Sequence, residues 1–216
     1  MKIVKDETAQ THLVMNLPFA PSESQAARET AEELLAKLNA IAQIVHGNHE
    51  NVRISGISCK DGSGAPMHQF IHPLGARSRF RAGVNLTVVN ADFSSSITPP
   101  TKKIGDQMLS AADRDEDLDR ALYLFGSLPL NWRGLYMVLD AAEYAHGGES
   151  GLIAKKWVPK AQIKAFKATA CSYKALRLEA RHGPLKWGVD HALQTLDEAR
   201  QMVRTILEKW SKEIGG

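Results

Sequence analysis

The chain has 216 residues, 44% of them hydrophobic and 24% charged, with a formal net charge of +3. That balance excludes wholesale disorder and suffices for one large domain or two small ones. No apolar run approaches the roughly 20 residues that a bilayer-spanning helix needs, and the opening Met-Lys-Ile-Val-Lys-Asp-Glu lacks the apolar stretch of a secretory signal.

Gln10 to Phe19 reads as a strand ended by Pro18 and Pro21. Ser22 with Gln25 three residues on is a capping-box pattern opening a helix. Ala27, Ala31, Leu34, Leu38, Ile41 and Val45 then recur at steps of four and three, one apolar stripe that predicts packing against a sheet. Gly47-Asn48 ends that helix. Val52 to Ser58 alternates up to the turn signal Asp61-Gly62, and Met67 to His72 reads as the return strand. Ala76 to Val89 is the longest strand-like run, with Arg77, Arg79 and Arg81 on one face at its start. That arginine row suits either a polyanion or partner, or the solubility of an exposed sheet face. Residues 1–93 therefore predict a β-α-β-β(-β) sheet domain with one packed helix.

Three serines and two prolines between Ser94 and Pro100 mark a linker, placed at 94–104. Residues 105–216 read as helical throughout, so the fold class expected is α+β, a sheet domain followed by an all-α bundle. Leu118, Ala121, Leu122 and Phe125 mark one helix. Trp132, Leu135, Tyr136, Leu139 and Ala142 mark a second, capped by Asn131 and stopped by Gly147-Gly148. Lys160 to His182 predicts a third, closed by Gly183-Pro184. Thr195 with Glu198 forms another capping box, opening a last helix with Ala199, Met202, Val203, Ile206 and Trp210 inward. All four tryptophans fall in this half and suit core anchors better than base-stacking residues.

The chemistry-bearing signals are sparse. No phosphate-binding Gly-rich loop, nucleophile elbow or HExxH motif is present. His46/His49 and His68/His72 are spaced as half-sites for a metal, but no acid or cysteine joins either pair, so no metal and no cofactor is expected. Cys59 and Cys171 lie in different halves without a CxxC partner, which suits free thiols in the cytoplasm. Charge is distributed unevenly. From Gly151 to Gly188 there are nine basic residues against the single acid Glu179. Lys160, Lys164, Lys167 and Lys174 form a stripe on the predicted third helix, with Arg181 at its edge, and such a face attracts RNA or another polyanion. A solvated face balanced by acids elsewhere is the other reading.

Arg177 projects close to the apolar side of the same helical wheel, and His182 is the last residue before Gly183. At a helix C-terminus a protonated imidazole is favoured. A titratable histidine beside fixed arginines suits general acid–base work on a phosphodiester, with the arginines holding the phosphate. The same pair also suits a plain helix C-cap bonded to the last carbonyls.

Arg177-Leu178-Glu179-Ala180-Arg181-His182 resembles the Arg-x4-His signature of HEPN-type domains, and the helical half resembles such a compact domain. The match departs from the family at Leu178, where a polar residue usually follows the arginine. The resemblance implies metal-independent RNA cleavage by attack of the RNA's own 2′-hydroxyl, in a homodimer of the toxin or phage-defence kind. Arg177 would bind the phosphate and His182 would act as acid–base. The alternative is a non-catalytic scaffold that dimerises or binds a protein partner.

Overall fold

The computed structural model describes residues 2–5, 11–14, 24–47, 51–52, 56–60, 66–71, 100–183 and 188–215. In chain order these form strands β1 (Lys2–Lys5) and β2 (Thr11–Val14), helix α1 (Ser24–His46), and strands β3 (Gly56–Lys60) and β4 (Pro66–Ile71). Helices α2 (Pro100–Ala112), α3 (Glu116–Ser127), α4 (Trp132–Ala145), α5 (Glu149–Ala154), α6 (Lys160–Cys171), α7 (Tyr173–Leu176) and α8 (Leu196–Gly215) follow. A single 3-10 turn, Arg177–Glu179, follows α7.

The expected fold class is overturned, because the described structure is predominantly helical. Its four short strands pair only as two separate antiparallel ribbons, β1 with β2 and β3 with β4. Among the described residues no sheet larger than two strands is formed. The antiparallel pairing of β3 with β4 matches the expected hairpin, while Asp61-Gly62 lie outside the described residues. Alternation, however, says nothing about which distant strands become neighbours, and two-stranded ribbons are marginal by themselves. The expected strand Ala76 to Val89, its arginine row Arg77, Arg79 and Arg81, and residues 94–99 of the expected linker lie outside the described residues. So do His49 and His72. Helix α2 begins at Pro100, inside the span expected as linker, with proline at the first helical position, where its missing N–H costs nothing.

Two compact units divide the chain. One holds both ribbons and the start of α1, through Glu33. The other holds α1 from Leu34, the segment Asn51–Val52, and everything from α2 onward. In this helical unit α3 lies along α4 and α2 along α8, which also touches α3 and α4. The core joins Ala40 and Ile41 of α1 to Leu118, Leu122 and Phe125 of α3, Leu135 and Leu139 of α4, Phe166 of α6, and Ile206 and Trp210 of α8. Of the apolar stripe of α1, Ile41 and Val45 thus meet helices. Gly126 permits that approach, since a Cβ there would fall 1.7 Å from the Ala36 carbonyl oxygen. Lys37 of α1 pairs with Asp119 of α3 at 2.6 Å. Asn39 locks the returning chain by exchanging two hydrogen bonds with the backbone of Val52, each 2.9 Å.

The capping signals at Asn131 and Thr195, and the glycine stop at Gly147-Gly148, hold in the helical half. Asp115 caps α3 by accepting from the Leu118 amide at 2.9 Å, and Glu116, Asp117 and Asp119 fill its first turn, where the helix dipole favours acids. Asn131 caps α4 through the Gly134 amide at 3.0 Å. Gly147 and Gly148, at φ +76° and +95°, follow its end. Thr195 and Glu198 bond reciprocally at the start of α8, whose expected inward residues are all buried. Trp132 and Trp210 are core residues, and the Trp210 indole donates to Asp115 at 3.2 Å. No helix among the described residues is long and apolar enough to cross a membrane.

Candidate functional site

The expected helix Lys160 to His182 is not continuous. It stops at Cys171 because Ser172 takes an extended conformation and uses its hydroxyl twice. The Ser172 Oγ accepts from the Ala175 amide at 3.2 Å, capping α7, and donates to the Val189 carbonyl at 2.7 Å. A serine that satisfies backbone groups in this way competes with helix continuation. The chain then runs through one turn of α7 and the 3-10 turn Arg177–Glu179 into the bend at Ala180–His182.

This break changes where the candidate residues lie. Arg177 is exposed, not wedged on an apolar side, because the wheel loses its phase at Ser172. Its backbone is left-handed, at φ 54° and ψ −124°, a conformation that costs a non-glycine residue energy unless its surroundings impose it. Arg133, in the first turn of α4, supplies that constraint. Its Nη2 donates to the carbonyls of Leu178 (2.8 Å) and Ala180 (3.1 Å), and its Nε donates to Ala180 (3.1 Å). The Arg181 amide adds a bond to the Ala170 carbonyl at 2.8 Å, and Ala180 is buried. His182 is half-buried three residues past the 3-10 turn, so the expected effect of a helix dipole on its imidazole does not apply. The Arg177 guanidinium and the His182 imidazole contact no charged or hydrogen-bonding side chain among the described residues.

Arg181 turns back onto α4. Its guanidinium lies 4.0 Å above the Tyr136 ring and 3.2 Å from the Asp140 carboxylate, an anchored geometry. Burial holds the Tyr136 hydroxyl above its ordinary pKa, reinforced by the Cys171 thiol, against the pull of Lys167 and Arg181. The expected lysine stripe divides. Lys160 and Lys164 are exposed, with no acidic partner among the described residues. Lys167 instead bridges Glu143 (2.9 Å) and Glu149 (2.7 Å). Burial alone would lower the Lys167 pKa, but its bonds to Glu149 and Glu143 outweigh that and hold the ammonium well above its usual range. Burial also pushes the Glu143 carboxyl up, against the pull of Lys167. Lys174 sits beyond the break and pairs with exposed Asp190 at 3.0 Å.

The loop therefore carries Arg177, Arg181 and His182 together, Lys160 and Lys164 stand apart on α6, and Lys167 is neutralised. Among the described residues, no three His, Cys, Asp or Glu side chains gather as a metal-holding group. His46 is exposed at the end of α1, His68 lies in β4, and Cys171 is a buried free thiol. Sequence reasoning missed Arg133, Tyr136 and Asp140, the residues that support the loop. Arg133 carried one readable signal, because a cation in the first turn of a helix opposes the dipole and so needs another reason to be there. Comparison with protein-family models, with curated proteins and with solved structures finds no match to this chain.

Proposed function

We propose that the helical unit binds RNA through the Arg177–His182 loop and cleaves it without a metal. The observation that carries this reading is the loop itself: an exposed Arg177 at positive φ, followed by the Leu178 and Ala180 carbonyls that Arg133 holds and by the Arg181 amide bonded to Ala170. Support of that kind fixes the backbone from which the guanidinium reaches solvent, while the side chain keeps its rotamer freedom until a phosphate orders it. His182 lies five positions along the same loop.

In this reading the ribose 2′-hydroxyl attacks the adjacent phosphorus, the P–O5′ bond breaks, and a 2′,3′-cyclic phosphate and a 5′-hydroxyl result. His182 takes the 2′ proton and delivers it to the departing 5′ oxygen. Arg177 offsets the charge that builds on the phosphoryl oxygens. Arg181 plays a different part from the one its sequence position suggested, because its guanidinium is engaged by Asp140 and Tyr136 and serves to hold the loop. Lys160 and Lys164 add non-specific attraction for the strand.

The test is incubation of mixed RNA with purified protein in EDTA, with His182→Ala and Arg177→Ala alongside. Cleavage by the wild type that leaves cyclic-phosphate ends and disappears in His182→Ala is the expected result. Equal cleavage by His182→Ala removes that residue from the mechanism. A wild type that neither cuts nor binds RNA at low salt removes the reading altogether.

A further inference from the structure

We infer that the break after α6 is one position of a two-state switch, and that a strap formed by residues 188–193 selects it. With the strap seated, α6 ends before Ser172 and the chain forms the loop at 177–182. With the strap released, α6 runs on as one helix through residues 160–182. The switch concerns the shape of this segment and holds whatever ligand the loop takes. The eight residues from Lys174 to Arg181 are drawn only from Ala, Leu, Arg, Lys and Glu, all strong helix formers. Yet α7 covers only Tyr173–Leu176, and Arg177–Glu179 forms a 3-10 turn with Arg177 at φ 54°. Leu178 is left 81% exposed. A run of helix formers held out of a helix, with one residue at a costly backbone angle, marks a segment with a second conformation close in energy. The spacing of Ile163, Phe166, Ala170, Tyr173 and Ala180 identifies that conformation, because one unbroken helix keeps all five on the same side.

The strap grips both sides of the break. The Leu193 amide donates to the Thr169 hydroxyl oxygen at 3.0 Å, before it, and Asp190 pairs with Lys174 at 3.0 Å, after it. Between them the Ser172 hydroxyl donates to the Val189 carbonyl at 2.7 Å and accepts from the Ala175 amide at 3.2 Å. The Lys174–Asp190 pair is exposed and adds little, so Ser172 is the node. Its hydroxyl joins the strap to the cap that stops the helix. Freed from Val189, a serine is tolerated inside a helix by bonding the carbonyl one turn back, here that of Ala168. The Ala170 carbonyl, which an unbroken helix offers to the Lys174 amide, now receives the Arg181 amide at 2.8 Å and changes partner in the same step. In the unbroken helix Arg177 and His182 stand roughly 140° apart around the axis, so the strap decides how this pair is presented.

The experiment reads Cα chemical shifts of residues 177–182 and amide exchange at Leu193 in the full chain. Wild type is expected to give loop shifts and a slowly exchanging Leu193 amide. Ser172→Ala is expected to move the six shifts to helical values and to speed Leu193 exchange as the strap loosens. Thr169→Val keeps Ser172 but removes the other anchor of the strap, and should move the same signals in the same direction; it carries the test if Ser172→Ala does not fold. Adding Arg177→Gly to Ser172→Ala should bring the loop shifts back, since glycine accepts a positive φ freely and weakens a helix. Loop shifts retained in Ser172→Ala and Thr169→Val alike overturn the inference, as do coil shifts in place of helical ones. Helical shifts with Leu193 exchange unchanged overturn the strap as the selecting element.

Discussion

Replacing Gly126 by alanine tests the packing that overturned the sheet expectation, because the sign of the effect depends on what lies against α3. An ideal Cβ at Gly126 falls 1.7 Å from the Ala36 carbonyl oxygen, 2.6 Å from its carbon and 2.9 Å from the Ala40 amide nitrogen. All three are backbone atoms of α1, so no side chain can swing aside. Restoring an ordinary carbon–oxygen contact requires the helices to part by roughly 1.5 Å. That separation strains the Asn51 bond to the Gly126 carbonyl (2.7 Å) and the Lys37–Asp119 pair. Overpacking of this kind costs about 3 kcal/mol at the upper end of its usual range. Alanine for glycine within a helix returns about 1 kcal/mol. The net expectation is a loss of about 2 kcal/mol, equivalent to a melting temperature lower by roughly 4–8 °C for a unit of this size. Gly105→Ala is the control, since its Cβ meets only the Ile41 Cγ2 at 3.4 Å and should stabilise by up to about 1 kcal/mol. Tryptophan fluorescence during thermal unfolding reports the right unit, because Trp132, Trp157 and Trp210 all belong to it. If Gly126→Ala melts at or above wild type, as Gly105→Ala should, α1 does not pack closely on α3.

Lys167→Met strands the buried Glu143 carboxylate and is expected to cost about 1–3 kcal/mol at neutral pH, below the value for a fully buried pair because both groups are partly wetted. Without the ammonium the native Glu143 pKa rises further above that of the unfolded chain, so the native state holds its proton more tightly and stability is lost as pH rises through the carboxylate range. The deficit against wild type should therefore shrink on acidification, and a pH-independent deficit in urea titrations would refute that account. Asn131→Ala removes the cap of α4 and should cost about 1 kcal/mol, while Asn131→Asp should be nearly silent. Equal losses in the two variants would mean that the side-chain oxygen is not what matters there.

Local chemistry was legible in the sequence wherever a signal and its consequence lie within a few residues. Asn131, the Thr195/Glu198 box, Gly147-Gly148 and the inward set Ala199, Met202, Val203, Ile206 and Trp210 each act inside one element, and each is found as expected. The error in fold class came from α1, whose stripe states only that it packs on something. A stripe of this width fits a sheet or a helix pair equally. The deciding feature, the close approach of Gly126 to Ala36, joins residues 90 positions apart and leaves no pattern in either helix.

The same distinction governs the loop. Periodicity carried the third helix straight through Ser172, because nothing in the apolar spacing reveals that its hydroxyl will bond Val189 seventeen residues on. Once the helix breaks there, the geometry of Arg177 and His182 belongs to a loop, and a loop needs an external constraint to present side chains in fixed positions. That constraint is Arg133. Its place in the first turn of α4 is electrostatically unfavourable for a cation, and the two carbonyls it holds, Leu178 and Ala180, compensate for that placement. Arg177, in its left-handed conformation, immediately precedes the first of those carbonyls, so Arg133 sustains the strain. A candidate site read from its own six residues was therefore incomplete. Its supports lie elsewhere in the chain, in Arg133, 44 positions before Arg177, and in Tyr136 and Asp140 of the same helix.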